Sequence, residues 1–232
     1  MTYTVGALLV ADSFDRADNP AIGSTDGGSL GSLAWQADGG ASTTSYSIVS
    51  NKCRTHASLP NQPVWVDAGA ADVRVQFTIP DLAAGGNIGA VARYINRGGS
   101  RLDPPFTVPV GCIWVGVDWY SGQKLYVQYH PNVSDRSRIN LTPAVVTCAA
   151  GDTITADFFG DQFWLFRNGA PLNGGVPYSS PYNVGATKVG LWQNNNGGTG
   201  ALDDFKVWQL VPSTTSSWHI GSLRFGSTGP GW

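Results

Sequence analysis

The sequence predicts an all-β protein folded as an antiparallel two-sheet sandwich. All 16 acidic residues are aspartate and only four of the 14 basic residues are lysine, so the good helix formers Glu and Lys are scarce. The 232 residues include 30 Gly and 14 Pro, and short runs of alternating apolar and polar residues recur along the chain. Amphipathic segments of roughly 10–15 residues do not separate these runs, so hairpins rather than parallel crossovers should connect the strands.

Alternation with a period of two defines the individual strands. In residues 72–79, Val73, Val75, Phe77 and Ile79 share one face, and Pro80 is expected to end the run because it cannot donate to a ladder. Asn168-Gly169 is predicted to form a tight hairpin turn, since both residues accept positive φ. Residues 5–11 are interpreted as the first strand, and further strands are predicted at 88–95, 110–120, 124–130, 153–159, 162–168, 188–192 and 205–210.

One sandwich domain should occupy residues 1–211, with long loops at 98–109 and 173–185. Residues 212–232 begin as a Ser/Thr-rich linker and continue as a Gly-rich segment, here called the arm. The Gly/Ser spacing of the arm cannot build a core, yet its apolar side chains are costly to leave in water. These side chains are Trp218, Ile220, Leu223, Phe225 and Trp232. The arm should therefore dock, either on its own domain or on a neighbouring subunit.

Charge and hydropathy exclude two classes of partner. The formal net charge is −2 and the arginines are scattered, so no basic stripe could follow nucleic-acid phosphates. Apolar runs fall short of the roughly 20 residues of a membrane span, and residues 5–11 lack the basic flank of a signal peptide. We expect no nucleic-acid partner, no membrane partner and no secretion signal.

The three cysteines are predicted to be buried free thiols. Cys112 and Cys148 lie in strand-like apolar segments, and an odd count that includes Cys53 allows at most one bridge. A zinc site is not expected, because the three histidines and three cysteines lack CxxC or HExxH spacing.

Several short segments carry a family resemblance through their order and spacing. They are 11–18 (ADSFDRAD) followed by Leu30-Gly31 and Trp35, 89–94 (GAVARY), 151–156 (GDTITA) with 166–169 (FRNG), and 189–191 (VGL) with 201–207 (ALDDFKV). Together they resemble the laminin-G-like, concanavalin A-like jelly roll over about residues 10–210. The opening segment is similar to domains of minor tail proteins and other virion proteins from phages of actinobacteria.

The resemblance implies a jelly-roll sandwich in a phage virion protein without enzymatic activity. A minor tail or tail-tip protein is the first expectation and a capsid-decorating protein the second. Assembly through the arm would join the protein to other virion proteins and to copies of itself. A homotrimer is one oligomer that fits this expectation. The protein would be made in the host cytoplasm, placed on the tail or capsid surface, and brought near host-surface glycans.

The alternative function is a carbohydrate-binding, lectin-like module. Aromatic rings can pack on sugar faces while amides satisfy hydroxyls, which singles out a few aromatic and amide residues. The candidates are Trp119, Tyr120, Trp192, Asn194, Asn195 and Asn196. Trp192 equally fits a core position, and the asparagine-rich segment equally fits a plain turn.

Asp203 and Asp204 form a candidate calcium site, because laminin-G-like domains often carry one near such residues. Calcium needs about six to eight oxygen ligands, so solvated aspartates at the start of a strand are the alternative. No other cofactor is expected. Leu202 and Phe205 should lie near the core, while Asp12, Asp15 and Asp18 should cap turns and pair with Arg16.

The sequence predicts that the chain is not an enzyme. Glucanases of concanavalin-type folds usually carry two catalytic glutamates on one strand, and this chain has no glutamate. Asp118 lies in an aromatic strand without a second aspartate two or four residues away. A Gly-x-Ser-x-Gly elbow is missing, and His56, His130 and His219 lack a context typical of a catalytic base.

Overall fold

The computed structural model describes residues 2–37, 43–55, 63–82, 86–95, 111–118, 122–131, 138–143, 146–195 and 200–213. Within these ranges the chain forms sixteen strands and no α-helix. The strands are β1 (Tyr3–Asp12), β2 (Gln36–Ala37), β3 (Tyr46–Ile48), β4 (Cys53–Thr55), β5 (Val64–Asp67), β6 (Val73–Asp81), β7 (Gly86–Ile95), β8 (Gly111–Asp118), β9 (Lys124–His130), β10 (Ile139–Asn140), β11 (Asp152–Phe159), β12 (Gln162–Arg167), β13 (Ala170–Pro171), β14 (Tyr178–Ser179), β15 (Lys188–Asn195) and β16 (Ala201–Pro212).

The strands form two antiparallel sheets that pack as a jelly-roll sandwich. The nine-stranded sheet has the order β13-β12-β11-β6-β16-β4-β3, with β1 added beside β16 and β14 beside β12. The seven-stranded sheet has the order β10-β9-β8-β7-β15-β5-β2. The predicted all-β antiparallel sandwich is therefore confirmed.

The core lies between the inner faces of the two sheets. The predicted alternation in β6 is confirmed, because Val73, Val75, Phe77 and Ile79 are buried while the residues between them are half-buried. Leu202 and Phe205 are also buried in this core, as predicted. Because strand side chains alternate between faces, each strand contributes every second residue to this layer.

One strand end differs from its prediction. β6 continues through Pro80 to Asp81, although Pro80 was expected to end it. Pro80 lies at a register shift, where Ala201 of β16 pairs with Asp81 and Asp203 pairs with Thr78. An irregular position of this kind tolerates a residue without a backbone N–H.

The loops are partly described. The predicted Asn168-Gly169 turn is confirmed: both residues have positive φ, and Arg167 pairs directly with Ala170. The predicted loop at 173–185 contains a 3-10 turn, Asn173–Gly175, and the short strand β14. The predicted loop at 98–109 lies outside the described residues.

A buried carboxylate fixes the end of β1. Asp12 accepts hydrogen bonds from Arg16 Nη1 at 2.6 Å, Trp35 Nε1 at 2.8 Å and the Phe14 N–H at 3.0 Å. Asp26, rather than Asp15, supplies the second carboxylate to Arg16, at 3.2 Å. The pairing of Asp12 with Arg16 agrees with the prediction, whereas the predicted pairing of Asp15 does not.

The prediction for the three thiols is confirmed, and the prediction for Asp18 is confirmed only in part. Asp18 caps a turn, since its Oδ1 accepts the Ser50 N–H at 2.7 Å, but it does not pair with Arg16. Cys53, Cys112 and Cys148 are all buried free thiols, as predicted. Within the described ranges, no helix has the length and hydropathy of a membrane span.

Candidate functional site

The candidate site is the outer face of the seven-stranded sheet, here called the aromatic face. In β8, Ile113, Val115 and Val117 point into the core. Because side chains alternate along a strand, the residues between and beside them point to the outer face: Cys112, Trp114, Gly116 and Asp118. One row of paired residues crosses five strands on this face. In strand order, it contains Gln128, Trp114, Val91, Gly190 and Trp65.

Two glycines make room for the indole of Trp114. A Cβ at Gly89 would lie 2.6 Å from Trp114 Nε1, and a Cβ at Gly116 would lie 2.6 Å from Trp114 Cε2. The indole therefore lies flat across two neighbouring strands, where any larger residue would displace it. Its Nε1 donates to the carbonyl oxygen of Trp192 at 3.3 Å, which joins β8 to β15.

Other aromatic rings converge on Trp114. The rings of His130 and Trp192 meet edge to face, with centroids 4.3 Å apart, and His130 meets Trp114 in the same way at 6.4 Å. Trp65 lies 6.2 Å from Tyr94, and Lys188 Nζ sits 3.8 Å from the Trp65 ring centroid. These geometries are typical of packed aromatic groups and of cation–π contacts.

Burial of the side chains decreases from the centre of the aromatic face to its margin. Trp114 is 3% exposed and Trp192 is 7% exposed, whereas Trp65 and Tyr126 are only half-buried. Cys112, directly opposite His130, is fully buried, and burial raises the pKa of its thiol. Cys112 is therefore a packing residue rather than a nucleophile.

Several buried polar atoms on the aromatic face make no hydrogen bond within the described part of the chain. They include Trp65 Nε1, Trp192 Nε1 and Asn87 Oδ1. Each such atom costs about 1–3 kcal/mol when it stays unsatisfied in a folded protein. Two indole donors and one amide acceptor on this face are therefore buried without a hydrogen-bond partner among the described residues.

The margin beside β9 carries the charged and amide groups. Asp118 is buried, and its carboxylate lies 3.8 Å from Arg138 Nη1. Gln128 donates from Nε2 to Asn140 Oδ1 at 3.0 Å, which fixes the amide orientation beside Trp114. The aromatic face therefore combines ring surfaces, hydrogen-bonding amides and one buried carboxylate.

The structure tests the predicted glycan-binding residues unevenly. Trp192 lies on the aromatic face, at its centre rather than in an open loop. The backbones of Asn194 and Asn195 continue β15, with Asn194 paired to Asn87, so they do not start a turn. The side chains of Asn194 and Asn195, and all of Trp119, Tyr120 and Asn196, lie outside the described structure.

The sequence patterns did not single out Trp65, Trp114 or Tyr126 as site residues. All eight residues of β8 are buried. Up to Asp118 its sequence is a continuous run of glycine and apolar residues, and in such a run alternation does not mark the outer face. The available signal was the Trp114 and Gly116 pair, because a glycine two residues from a tryptophan on one face permits the ring to lie flat.

The candidate calcium residues lie at the start of β16. Burial raises the pKa of Asp203 to about 6, and the like charges of Asp204 and Asp15 add to the effect. Lys206 Nζ lies 3.1 Å from Asp204 Oδ1 and neutralises that carboxylate. Groups of three or more metal-ligating side chains do not occur among the described residues, so calcium binding stays a prediction.

The five apolar arm residues, Trp218, Ile220, Leu223, Phe225 and Trp232, lie outside the described residues. Their predicted docking stays a prediction.

Solved structures that share the sandwich fold of this chain include two proteins named for glycan hydrolysis and one named for a galectin-like fold. A family GH16 endo-β-1,3(4)-glucanase has a TM-score of 0.55 at 11% identity, covering 89% of this chain and 91% of that chain. A Bacillus subtilis protein of unknown function with a galectin-like fold has a TM-score of 0.54 at 10% identity, covering 91% and 100%. An endo-acting O-glycanase of the human gut microbiota has a TM-score of 0.53 at 11% identity, covering 88% and 100%.

These likenesses establish the fold, and sequence comparison adds nothing further. No protein-family model matches the chain, and no curated protein matches it. The jelly-roll part of the predicted family resemblance is confirmed, while the phage context remains a prediction.

The prediction that the chain is not an enzyme is corrected by these comparisons. Two of the three structures are named for glycan hydrolysis, so the fold of this chain also occurs in glycan hydrolases. Aspartate carboxyls can perform the same proton transfers as glutamate, and Asp118 places one on the aromatic face.

Proposed function

We propose that the chain is a carbohydrate-binding jelly-roll module whose ligand contacts the aromatic face. The observation that supports this most directly is the set of unsatisfied polar atoms on one ring-lined surface: Trp65 Nε1, Trp192 Nε1 and Asn87 Oδ1. Sugars present C–H faces that pack on aromatic rings and hydroxyls that both donate and accept hydrogen bonds. A glycan hydroxyl that reached these buried atoms would remove the cost of leaving them unsatisfied.

The half-buried Trp65 and Tyr126 give the ligand its first contact surface. Both lie at the margin of the aromatic face, on opposite sides of the buried Trp114. Lys188, whose Nζ lies 3.8 Å from the Trp65 ring centroid, places an ammonium group beside this surface. The nearly neutral chain favours uncharged glycans over polyanions, since Asp118 and Lys188 leave the face without a dominant charge.

The test is titration calorimetry with β-1,3- and β-1,3-1,4-glucan oligosaccharides, chosen because a structural neighbour is a β-1,3(4)-glucanase. Trp65→Phe and Trp192→Phe keep a ring and remove the indole donor, so each should weaken binding about tenfold, or ~1.4 kcal/mol. Trp164→Phe is the matched control, because Trp164 is a half-buried tryptophan on the other sheet. Equal losses in all three variants, or no binding by the native chain across a wider panel of neutral glycans, would contradict the proposal.

Glycan hydrolysis is a second candidate function, favoured by the buried carboxylate of Asp118 on the same face. Glycoside hydrolysis ordinarily uses two carboxyl groups about 5–9.5 Å apart, and Asp118 could serve as one of them. New reducing ends from the same glucans, lost in Asp118→Asn, would establish the activity. Binding without product would leave the chain as a binding module.

The finer proposal, from the sequence resemblance, places this module on a phage virion as a tail, tail-tip or capsid-decorating protein. It would assemble there with other virion proteins through residues 212–232 and contact host-surface glycans through the aromatic face. Mass spectrometry of purified particles tests this placement. Absence of the protein from particles that are otherwise complete would overturn it.

A further inference from the structure

Half of β1 forms an exposed sheet edge. One side of β1 pairs with β16. On the other side, residues 8–11 bond to residues 27–29, as in Ser29 N–H to Leu8 O at 2.8 Å and Ala11 N–H to Gly27 O at 2.7 Å. Residues 4–7 are exposed, and Val5 keeps 42% of its surface. Within the described residues, no strand pairs with this part of the edge.

The regular part of this edge, residues 3–5, lacks charged residues and proline, and the register with β16 shifts only beyond it, between Val5 and Leu8. Exposed edges are commonly blunted by charged residues, by proline, by β-bulges or by short length. The end strands β2, β10 and β13 contain only two residues each, whereas β1 contains ten. The first charged side chain in the sequence is Asp12, so residues 2–11 offer an uncharged strand.

The arm leaves the sandwich beside this edge. The Ser213 N–H donates to Thr2 O at 3.0 Å, which places the end of β16 next to the start of β1. Residues 214–232 follow, and within them 218–225 (WHIGSLRF) have the length and apolar content of a strand. The arm therefore starts next to the first residues of the open edge.

We propose that residues 3–7 of β1 receive residues 218–225 of a second copy of the chain as an added antiparallel strand. An arm that starts beside Thr2 and runs back along its own β1 would lie parallel to it, and parallel ladders are slightly less stable. The arm of a second copy can approach in the antiparallel direction. This inference does not depend on glycan binding, and it supplies the self-association that the virion proposal uses.

The ladder identifies the residue whose backbone faces outward. Leu210 lies opposite Val5, and the Leu210 N–H donates to Asp72 O, away from β1. In an antiparallel pair, residues opposite one another either exchange both bonds or neither, so the Val5 N–H points to the open edge. A proline at position 5 would remove this outward donor and leave the β1–β16 ladder intact.

The experiment measures the mass of the full-length chain by light scattering in three forms: native, Val5→Pro and Val5→Ala. The chain mass is 24.5 kDa, so the native protein and Val5→Ala should show at least twice that mass. Val5→Pro should show a single chain with an unchanged circular dichroism spectrum. Amide exchange of Val5 should be slow in the oligomer, and Leu223→Asp in the arm should make it fast.

Two results would overturn the proposal. The first is a native protein of single-chain mass; slow Val5 exchange in that monomer would assign the edge to its own arm. The second is an oligomer of undiminished mass in both Val5→Pro and Leu223→Asp. Should Val5→Pro unfold, Leu223→Asp decides alone, because it lies outside the sandwich strands. None of these outcomes involves glycan or virus particles, so failure here is separate from failure of the proposed function.

Discussion

Arg74 and Asp157 form a two-point ion pair on the outer face of the nine-stranded sheet, with Nε–Oδ1 and Nη2–Oδ2 distances of 2.7 Å each. Asp157 is fully buried, and the Tyr3 hydroxyl donates to its Oδ2 at 2.8 Å. The pair joins β6 to β11 side by side, and the tyrosine bond adds β1. The outer face of this sheet is therefore fixed by a carboxylate with three good donors.

Removal of the cation from this pair should be strongly destabilising. Arg74→Ala leaves a buried carboxylate with one remaining side-chain donor, so the free energy of unfolding should fall by about 3 kcal/mol. Lys206→Ala is the matched control on the same sheet, because its pair with Asp204 is partly exposed and should cost less than about 1 kcal/mol. Urea unfolding measures both variants. Equal losses would show that the Arg74 pair adds nothing beyond a surface contact.

The close approach of Trp114 to the backbone predicts a second stability effect. Gly116→Ala places a methyl group against the Trp114 ring and the Ile88 carbonyl, so overpacking should cost about 2 kcal/mol. The displaced indole should also change its fluorescence and weaken any glycan binding. Gly185→Ala is the control, since no atom lies within 4 Å of its new methyl group. A stable Gly116→Ala protein with native fluorescence would contradict the flat placement of the ring.

The sequence predicts most of the fold because the long strands alternate. In β6 the core side is marked by every second residue, and in the β12–β13 hairpin the Asn168-Gly169 pair marks the turn. Strands of two to four residues, such as β2 and β5, are too short for a period-two pattern to emerge. Arg16 illustrates a further limit, because its second partner, Asp26, is set by tertiary folding rather than by local spacing.

The candidate site is less accessible to sequence reasoning than the fold. Trp192 is recognisable as an aromatic residue near amides, but its position on the aromatic face depends on pairing with Gly89 of β7. The same holds for Trp65, which joins the row through Gly190. The pairing register between strands that are distant in sequence is set by the packing of the whole core, so it cannot be read from a single sequence.

The carboxyl of Asp203 predicts a pH-dependent stability. Burial raises its pKa to about 6, so as pH rises the unfolded chain loses this proton before the folded chain does. The folded state therefore loses stability between about pH 4 and pH 6 from this group. Asp203→Asn should stabilise the protein at pH 7.5 by about 1 kcal/mol, after allowance for partial exposure.

Unfolding of native protein and Asp203→Asn at pH 3.5 and pH 7.5 checks this sign. The gain should be present at pH 7.5 and absent at pH 3.5, where both folded and unfolded chains are protonated at this residue. A gain of equal size at both pH values would assign the effect to packing. Added calcium at pH 7.5 should favour the native chain over the variant only if Asp203 binds the ion.

The final prediction concerns Asp12 and Trp35, which join two distant segments of the chain inside the core. Burial raises the pKa of Asp12, and the hydrogen bonds from Arg16 and Trp35 oppose that rise. Trp35→Phe removes the 2.8 Å bond from Nε1 to a fully buried carboxylate, so it should cost about 2 kcal/mol. Part of that cost comes from lost ring contact with Phe205, whose centroid lies 5.6 Å away.

A double-mutant cycle with Asp12→Asn separates the two contributions. If the hydrogen bond to a charged carboxylate dominates, Trp35→Phe should cost less in the Asp12→Asn protein than in the native one. We expect a coupling of about 1 kcal/mol, since residues in one hydrogen-bond network are not additive. Additive losses would assign the Trp35 effect to its packing on Phe205. The Asp12 carboxylate would then depend chiefly on Arg16, which donates to it through both Nη atoms.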